Sequence, residues 1–145
     1  MAVADREDPF RGFNFRVEID KTPVAGFREC SGLSFTADAV EYRNGNEKTL
    51  HVRKLTGLRK FANIVLKRGF TRHKELYQWY RNILNGQNDR RTGAIVLMDE
   101  QDKDVLRWNF EAGWISKWEG PMMNATSNDV VIENLEITVE RVELA

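Results

Sequence analysis

The stretch that most constrains this chain lies near its start. Phe13, Phe15, Val17 and Ile19 alternate with Asn14, Arg16, Glu18 and Asp20. A strict period of two fits a strand with one buried and one wet face, and it fits a helix not at all. The same grammar recurs along the chain, so a mainly β domain is expected. Asp20-Lys21-Thr22-Pro23 reads as a turn, and Val24–Ser31 as a returning strand in which Gly26 marks a bend.

The next segment, Leu33–Val52, is patterned differently. Asn44-Gly45 at its centre is the dipeptide best suited to the two positive-φ positions of a type I′ hairpin turn. Strand-type residues flank it: Phe35, Thr36, Val40 and Tyr42 before, Thr49, Leu50 and Val52 after. Leu33, Phe35, Ala37 and Ala39 hold one face, then Val40 and Tyr42 hold the other. Such a change of apolar face calls for a bulge, or for a strand that passes from one packing environment into another. This hairpin has too little core of its own.

Further on, Lys54–Lys60 reads as a loop and Phe61–Leu66 as a short strand stopped by Lys67-Arg68-Gly69. Leu76, Trp79, Tyr80, Ile83 and Leu84 then fall at helical spacing, predicting a helix over about residues 74–85. Thr71 is its expected N-cap and Gly86 its left-handed C′ residue. Gln87–Thr92 reads as a loop and Ala94–Met98 as a central strand buried on both faces. Asp99–Asp104 turns the chain into a long strand, Val105–Trp118, with Leu106, Trp108, Phe110, Ala112, Trp114, Ser116 and Trp118 on one face. Gly120–Asp129 is a loop around Pro121. Val130–Leu144 is a last strand that changes phase after Val139. The fold expected is mainly β (α+β): a two-sheet barrel or sandwich with one flanking helix.

The 145 residues make one domain, 1–145, with residues 1–9 as a flexible N-terminal arm. Charge is balanced, 22 basic against 22 acidic side chains, so no global field draws the chain to nucleic acid or an anionic membrane. Cys30 is the only cysteine, which excludes an intrachain disulfide and fits synthesis in the cytoplasm. The opening residues lack the apolar core of a secretory signal, and no apolar run reaches membrane-spanning length. Asn124 and Thr126 of the sequon Asn124-Ala125-Thr126 read as turn residues.

Chemistry-bearing patterns are missing. Asp99, Glu100, Asp102 and Asp104 resemble a calcium loop only loosely, because Lys103 and Val105 fall on ligand positions. His51 and His73 lie in unrelated segments, and Cys30 has no activating neighbours. No catalytic, cofactor or metal residue is assigned. Charge distribution says more: His51–Lys74 carries Arg53, Lys54, Arg59, Lys60, Lys67, Arg68, Arg72 and Lys74 without an acid. The last strand carries Asp129, Glu133, Glu136, Glu140 and Glu143 against Arg141 alone. These can be solvated faces, intrachain pairs, or complementary surfaces that meet between copies of the chain. Specific nucleic-acid binding is disfavoured, since the basic segment lacks interleaved exposed aromatics.

The order of these pieces resembles the tail tube proteins of contractile phages and phage-tail-like contractile injection systems. Asn14–Ile19 resembles that family's opening strand and Gly26–Leu33 its second strand with a Ser-Gly-Leu turn. Val40–Gly45 resembles the start of its projecting loop, and Ile64–Gly69 the Leu-Lys-Arg-Gly strand end before its helix. Trp108-Asn109-Phe110, Ala112-Gly113-Trp114, Asn124–Val130 and the Glu133–Glu143 strand resemble its C-terminal third.

The resemblance implies a structural subunit, not an enzyme. Six copies join edge to edge into a ring, and rings stack into a rigid tube driven into a target by sheath contraction. The implied partners are further copies of itself, a sheath protein, baseplate or hub proteins, a tape-measure protein and luminal cargo, with no membrane anchor and no cofactor. The projecting loop, residues 42–50, is expected to reach a neighbouring subunit or ring through Tyr42, Arg43, Asn44, Gly45, Asn46, Glu47 and Lys48. Ser34, Thr36 and Asp38 are expected to face the lumen. The competing reading is a small β-barrel that binds an apolar ligand between Trp108, Trp114 and the helix.

Overall fold

The computed structural model describes residues 11–12, 14–24, 27–69, 75–120, 123–126 and 132–145. The expected N-terminal arm, Phe13, Gly26, Thr71, His73, Pro121 and the start of the last strand lie outside them. Among the described residues there are ten strands and one helix: β1 Phe15–Ile19, β2 Thr22–Val24, β3 Glu29–Ser31, β4 Phe35–Tyr42, β5 Arg53–Phe61, β6 Ile64–Gly69, α1 Glu75–Leu84, β7 Arg91–Met98, β8 Asp104–Glu119, β9 Ile132–Thr138 and β10 Arg141–Leu144.

The sixteen-residue β8 organises the body. Its first half pairs β7, which continues through β1 to β2, while β10 pairs its opposite edge. Its second half pairs β9, which continues through β6 to β3. The result is two sheets sharing one strand, packed face to face and not closed into a barrel. Val17, Ile19, Ile64, Leu66, Ile95, Phe110, Ile115, Leu135 and Ile137 fill the space between them.

β8 does not keep one parity along its length. Arg91 opposes Gly113 and Gly93 opposes Phe110, so one extra residue is absorbed at Glu111-Ala112, where Ala112 takes φ 53°. Ser116 is a second extra residue, between Ile115 opposite Ile137 and Lys117 opposite Glu136. Each bulge flips the strand. Phe110, Ile115 and Trp118 therefore all contact the core, and the single face expected from Leu106 to Trp118 is broken twice.

The helix matches its pattern. Leu76 and Trp79 are buried, Tyr80 and Ile83 half-buried. Leu84, eight residues on and so about 80° off the stripe, is exposed. Tyr77 and Tyr80 meet Trp118 of β8 with ring centroids 5.5 and 5.4 Å away. Gly86 takes φ 83°, and the N–H groups of Gly86 and Gln87 donate to the carbonyls of Ile83 and Asn82, a Schellman ending. Asp89 then clamps the exit: it receives two bonds from Arg91, at 3.0 and 2.9 Å, and one from Asn82 at 2.9 Å. Arg91 holds the Asp89 carboxyl below its ordinary range, burial opposing. Trp79 donates its indole N–H to the Asp89 carbonyl and lies under the Arg91 guanidinium.

β7 is buried on both faces, as its apolar run requires. On its outer face Val96 sits between Arg16 and Arg107 in register. An ion lattice of Arg16, Glu18, Asp104 and Arg107 joins these strands there, and Asp104 holds the Arg16 guanidinium above its ordinary value. In the other sheet Arg68 and Glu133 form a buried ion pair between β6 and β9, with Trp118 donating to Glu133 at 3.3 Å. Lys67-Arg68-Gly69 is thus part of strand β6, not its stop. An arginine there is tolerated because its charge has a buried counter-charge.

Several boundaries differ from expectation. Asp20 and Lys21, at φ 51° and 66°, form the two-residue mirror-image turn of the β1–β2 hairpin, so Thr22-Pro23 belongs to a strand. The returning strand is split between sheets as β2 and β3. β7 already begins at Arg91, inside the expected loop. Lys54–Lys60 is not a loop but most of β5.

Candidate functional site

The projecting ribbon of β4 and β5 stands outside both sheets. It is nevertheless continuous with them. Ser31 opposes Val65 in β3–β6, and Phe35 opposes Phe61 in β4–β5, so one antiparallel register runs through both pairs. At the junction Ala62 still donates to the Ser34 carbonyl at 3.2 Å. Gly32 makes the departure possible. It takes φ 92°, and a Cβ there would lie 1.9 Å from the Asn63 carbonyl oxygen. Only glycine combines that dihedral with that approach.

The ribbon has a bulge, but on β5 and not on β4, the strand whose apolar face changes. Ala37 opposes Arg59 and Ala39 opposes Thr56, so Asp38 faces both Gly57 and Leu58. Near the body, the Phe35 and Phe61 rings meet at a tilt with centroids 5.4 Å apart, and Phe61 packs on the core. Further out the apolar residues are Val40, Tyr42, Leu55 and Leu58, all exposed, Leu58 by 74%. Across the strands Val40 opposes Leu55 on one face.

The tip is not a type I′ turn. Neither Asn44 nor Gly45 has positive φ, and pairing ends at Tyr42 opposite Arg53. Thr49, Leu50 and Val52 are therefore loop, not strand. The loop is organised by Arg43, which donates to the carbonyls of Thr49 and Glu47 at 3.0 and 3.1 Å. Asn44 accepts the Glu47 N–H, Tyr42 bonds Asn44, and Glu47 pairs Arg53 at 3.2 Å. These five backbone and side-chain ties of the loop outweigh the local preference of Asn-Gly. Gly45, Asn46 and Lys48 are exposed at this tip, and Leu50 is 88% exposed. Ser34, Thr36 and Asp38 are all exposed too, with Thr36 opposite Lys60.

The opposed charges resolve into two groups. The tail acids are largely engaged within the chain: Glu133 by Arg68, Glu140 by Arg90, Glu143 by Arg141. The cations of β5 are not: Lys54, Arg59 and Lys60 make no ion pair among the described residues.

Sites of other kinds do not emerge. No group of three or more His, Cys, Asp or Glu side chains among the described residues could hold a metal. The Asp99 carboxylate is used by its own turn, accepting the N–H groups of Gln101 and Lys103. Asn124 likewise accepts from Thr126. Cys30 is a free, half-buried thiol pushed up to about 11 by burial. An open cleft of about 460 Å³ is lined by Phe15, Cys30, Leu33, Leu97 and Trp108, without Trp114 or the helix. This cleft is open, unlike the enclosed apolar cavity that the ligand-binding reading expects between Trp108, Trp114 and the helix. Among the described residues no helix is long and apolar enough to cross a membrane.

No curated protein sequence matches the chain. Among solved structures, it resembles a chain of the sheath–tube complex of an extracellular contractile injection system, PVC, in its extended state. That match has 26% identity and a TM-score of 0.86, covering 96% of this chain and 93% of that one. It also resembles a chain of the tube-terminating cap of the anti-feeding prophage, with 25% identity, a TM-score of 0.87 and coverage of 99% and 95%. Hcp1 from Flavobacterium johnsoniae shares the fold at 12% identity, with a TM-score of 0.56 and coverage of 90% and 94%. Residues 11–143 match the family of the T4-like virus tail tube protein gp19. The chain belongs to that family and is a structural tail tube protein.

Proposed function

We propose that this subunit assembles into stacked hexameric rings forming the inner tube of a phage tail or contractile injection particle. Made in the cytoplasm, the tube grows from baseplate or hub proteins, is enclosed by a sheath, and is threaded by a tape-measure protein and luminal cargo. The sheath–tube and cap assemblies that contain the similar chains support this reading. Its work is mechanical: a hollow rod transmits force when backbone hydrogen bonds continue from subunit to subunit. Tyr42–Lys48 reaches a neighbouring copy, while Ser34, Thr36 and Asp38 line the lumen.

The observation that carries the proposal is the ribbon. A two-stranded ribbon alone is marginally stable in water, yet this one exposes Val40, Tyr42, Leu55 and Leu58, and neither outer edge is paired among the described residues. Such edges are templates for another chain. Deleting 43–47 removes the Arg43 brace and leaves the body intact. The expected result is a folded monomer by circular dichroism that forms no rings or tubes by negative-stain microscopy. Normal tubes from the deletion variant would remove the loop from the assembly contact.

A further inference from the structure

The chain contains two Asn-Gly pairs, Asn44-Gly45 and Asn85-Gly86. Such a pair is chemically labile. The amide nitrogen that follows an asparagine can attack the asparagine's own side-chain carbonyl, and glycine, without a Cβ, leaves that approach open. A bond forms between the glycine nitrogen and the asparagine Cγ, and the Cγ–NH2 bond breaks. Ammonia departs with the glycine amide proton and leaves a five-membered imide. Water then opens the imide at either carbonyl, giving aspartate or isoaspartate. The step is redox-neutral and consumes only solvent.

Exposure does not separate the two pairs, because all four residues are exposed. Hydrogen bonding does. The Gly86 N–H, the attacking group of the second pair, donates to the Ile83 carbonyl at 3.0 Å, and the Asn85 N–H donates to the Arg81 carbonyl at 3.0 Å. Gly86 is fixed at φ 83°, and the Gln87 N–H closes the cap on the Asn82 carbonyl at 3.0 Å. For this nitrogen to react, the helix end must open. Gly45 is the opposite case. Its N–H has no hydrogen-bond partner among the described residues. Ladder pairing has already ended at Tyr42 opposite Arg53, and a Cβ on Gly45 would meet nothing within 4 Å. The loop holds Asn44 by its oxygens: the main-chain carbonyl accepts the Glu47 N–H, and Oδ1 accepts the Tyr42 hydroxyl. The second bond places a donor on the oxygen where negative charge develops as Cγ is attacked.

We infer that Asn44 is a self-modification site: the free subunit converts it to aspartate or isoaspartate without an enzyme, while Asn85 in the same chain is held back. The product changes the loop tip in two ways. It adds a negative charge beside Arg43, whose guanidinium braces the loop, and the isoaspartate route inserts one carbon into the main chain. The consequence rests on the tube reading, which places Tyr42–Lys48 against a neighbouring copy. That contact covers Asn44 in a finished tube, so conversion marks the subunits that stay unassembled, and the altered loop no longer fits its partner.

Peptide mapping by mass spectrometry tests the site on the full chain, aged in solution as free subunits, with aspartate and isoaspartate peptides separated by chromatography. Conversion at Asn44 should run about tenfold ahead of Asn85, the worth of the cap bonds that must open. In urea strong enough to unfold the chain the two rates should converge, because the difference lies in the fold. Gly45→Ala should slow conversion at Asn44 and leave Asn85 unchanged. An unconverted Asn44, equal rates in the folded chain, or the same bias in urea overturns the site. Aged protein sorted by charge tests the consequence. The converted fraction should form fewer rings than the unconverted one, and Asn44 in finished tubes should convert more slowly than in free subunits. Normal rings from the converted fraction, or tubes that age at the free rate, overturn the marking of unassembled subunits. A parent protein forming neither rings nor filaments sinks the tube reading and that consequence with it, and leaves the modification site standing on the mapping.

Discussion

β3 with β6, and β4 with β5, are consecutive lengths of one hairpin in a single register. The inner length lies in a sheet, with Ile64 and Leu66 fully buried. The outer length is exposed at nearly every position. Hydrogen bonding along the ladder is alike in both, so pairing alone does not decide which half is stable. What differs is the third and fourth strand: β6 has β9 on its far side, and β5 has none. The inner half is completed within the chain. The outer half, among the described residues, is not.

The sharpest break of this comparison is a leucine truncated in each half. Leu66→Ala empties a fully buried site and should cost about 2–5 kcal/mol in urea unfolding. Leu58→Ala removes a side chain already in water, and monomer stability should stay within about 0.5 kcal/mol. Assembly should rank the two the other way, with Leu58→Ala raising the protein concentration needed for rings. A Leu58→Ala protein that unfolds as easily as Leu66→Ala would mean that the ribbon stabilises the isolated subunit.

Gly32 is where the two halves separate, so changing it tests whether the kink is required. Gly32→Ala places a Cβ against the Asn63 carbonyl at positive φ, a strain of about 1–3 kcal/mol. Lower thermal stability together with lost assembly is the expected outcome. Assembly at the parent concentration would show that the ribbon does not need this angle.

The sequence is legible where one side chain pattern meets one environment. β7 and the helix follow their patterns and Gly86 sits in its left-handed cap, while β1 sends Val17 and Ile19 to the core but buries Glu18 on the face expected to be wet. The sequence misleads where a neighbour decides. Lys54–Lys60 has no alternation because neither of its faces is buried within the chain, so charge and Gly57 read as loop. Asn44-Gly45 carries the strongest local turn signal, but Arg43 reaching the Thr49 and Glu47 carbonyls sets a longer loop. Asp20-Lys21 makes the mirror-image turn without any glycine. In β8, Ala112 and Ser116 carry no mark of the bulges they form, since those are set by the length of β7 and β9 opposite. Among the expected contact residues, exposure and position in the ribbon follow from composition. What they meet does not, because no third strand beside the ribbon is found among the described residues.

Acid gives the smallest and most selective probe of the body against the ribbon. The Asp89 carboxyl is held below its ordinary range by the Arg91 guanidinium, so the folded state binds fewer protons there than the unfolded chain. Its contribution is fully present above the unfolded value and is lost as pH falls through the lowered, folded one. Loss of the clamp loosens the helix exit and the start of β7, both in the body, and touches nothing in the ribbon. Asp89→Asn keeps the shape, weakens the two bonds from Arg91, and removes the titration. Its stability at neutral pH should drop by about 1 kcal/mol, and its stability should fall less steeply below pH 5 than the parent's. Urea midpoints measured from pH 7 down to pH 3 supply the test, and parallel acid limbs for the two proteins would remove Asp89 as the group that couples body stability to pH.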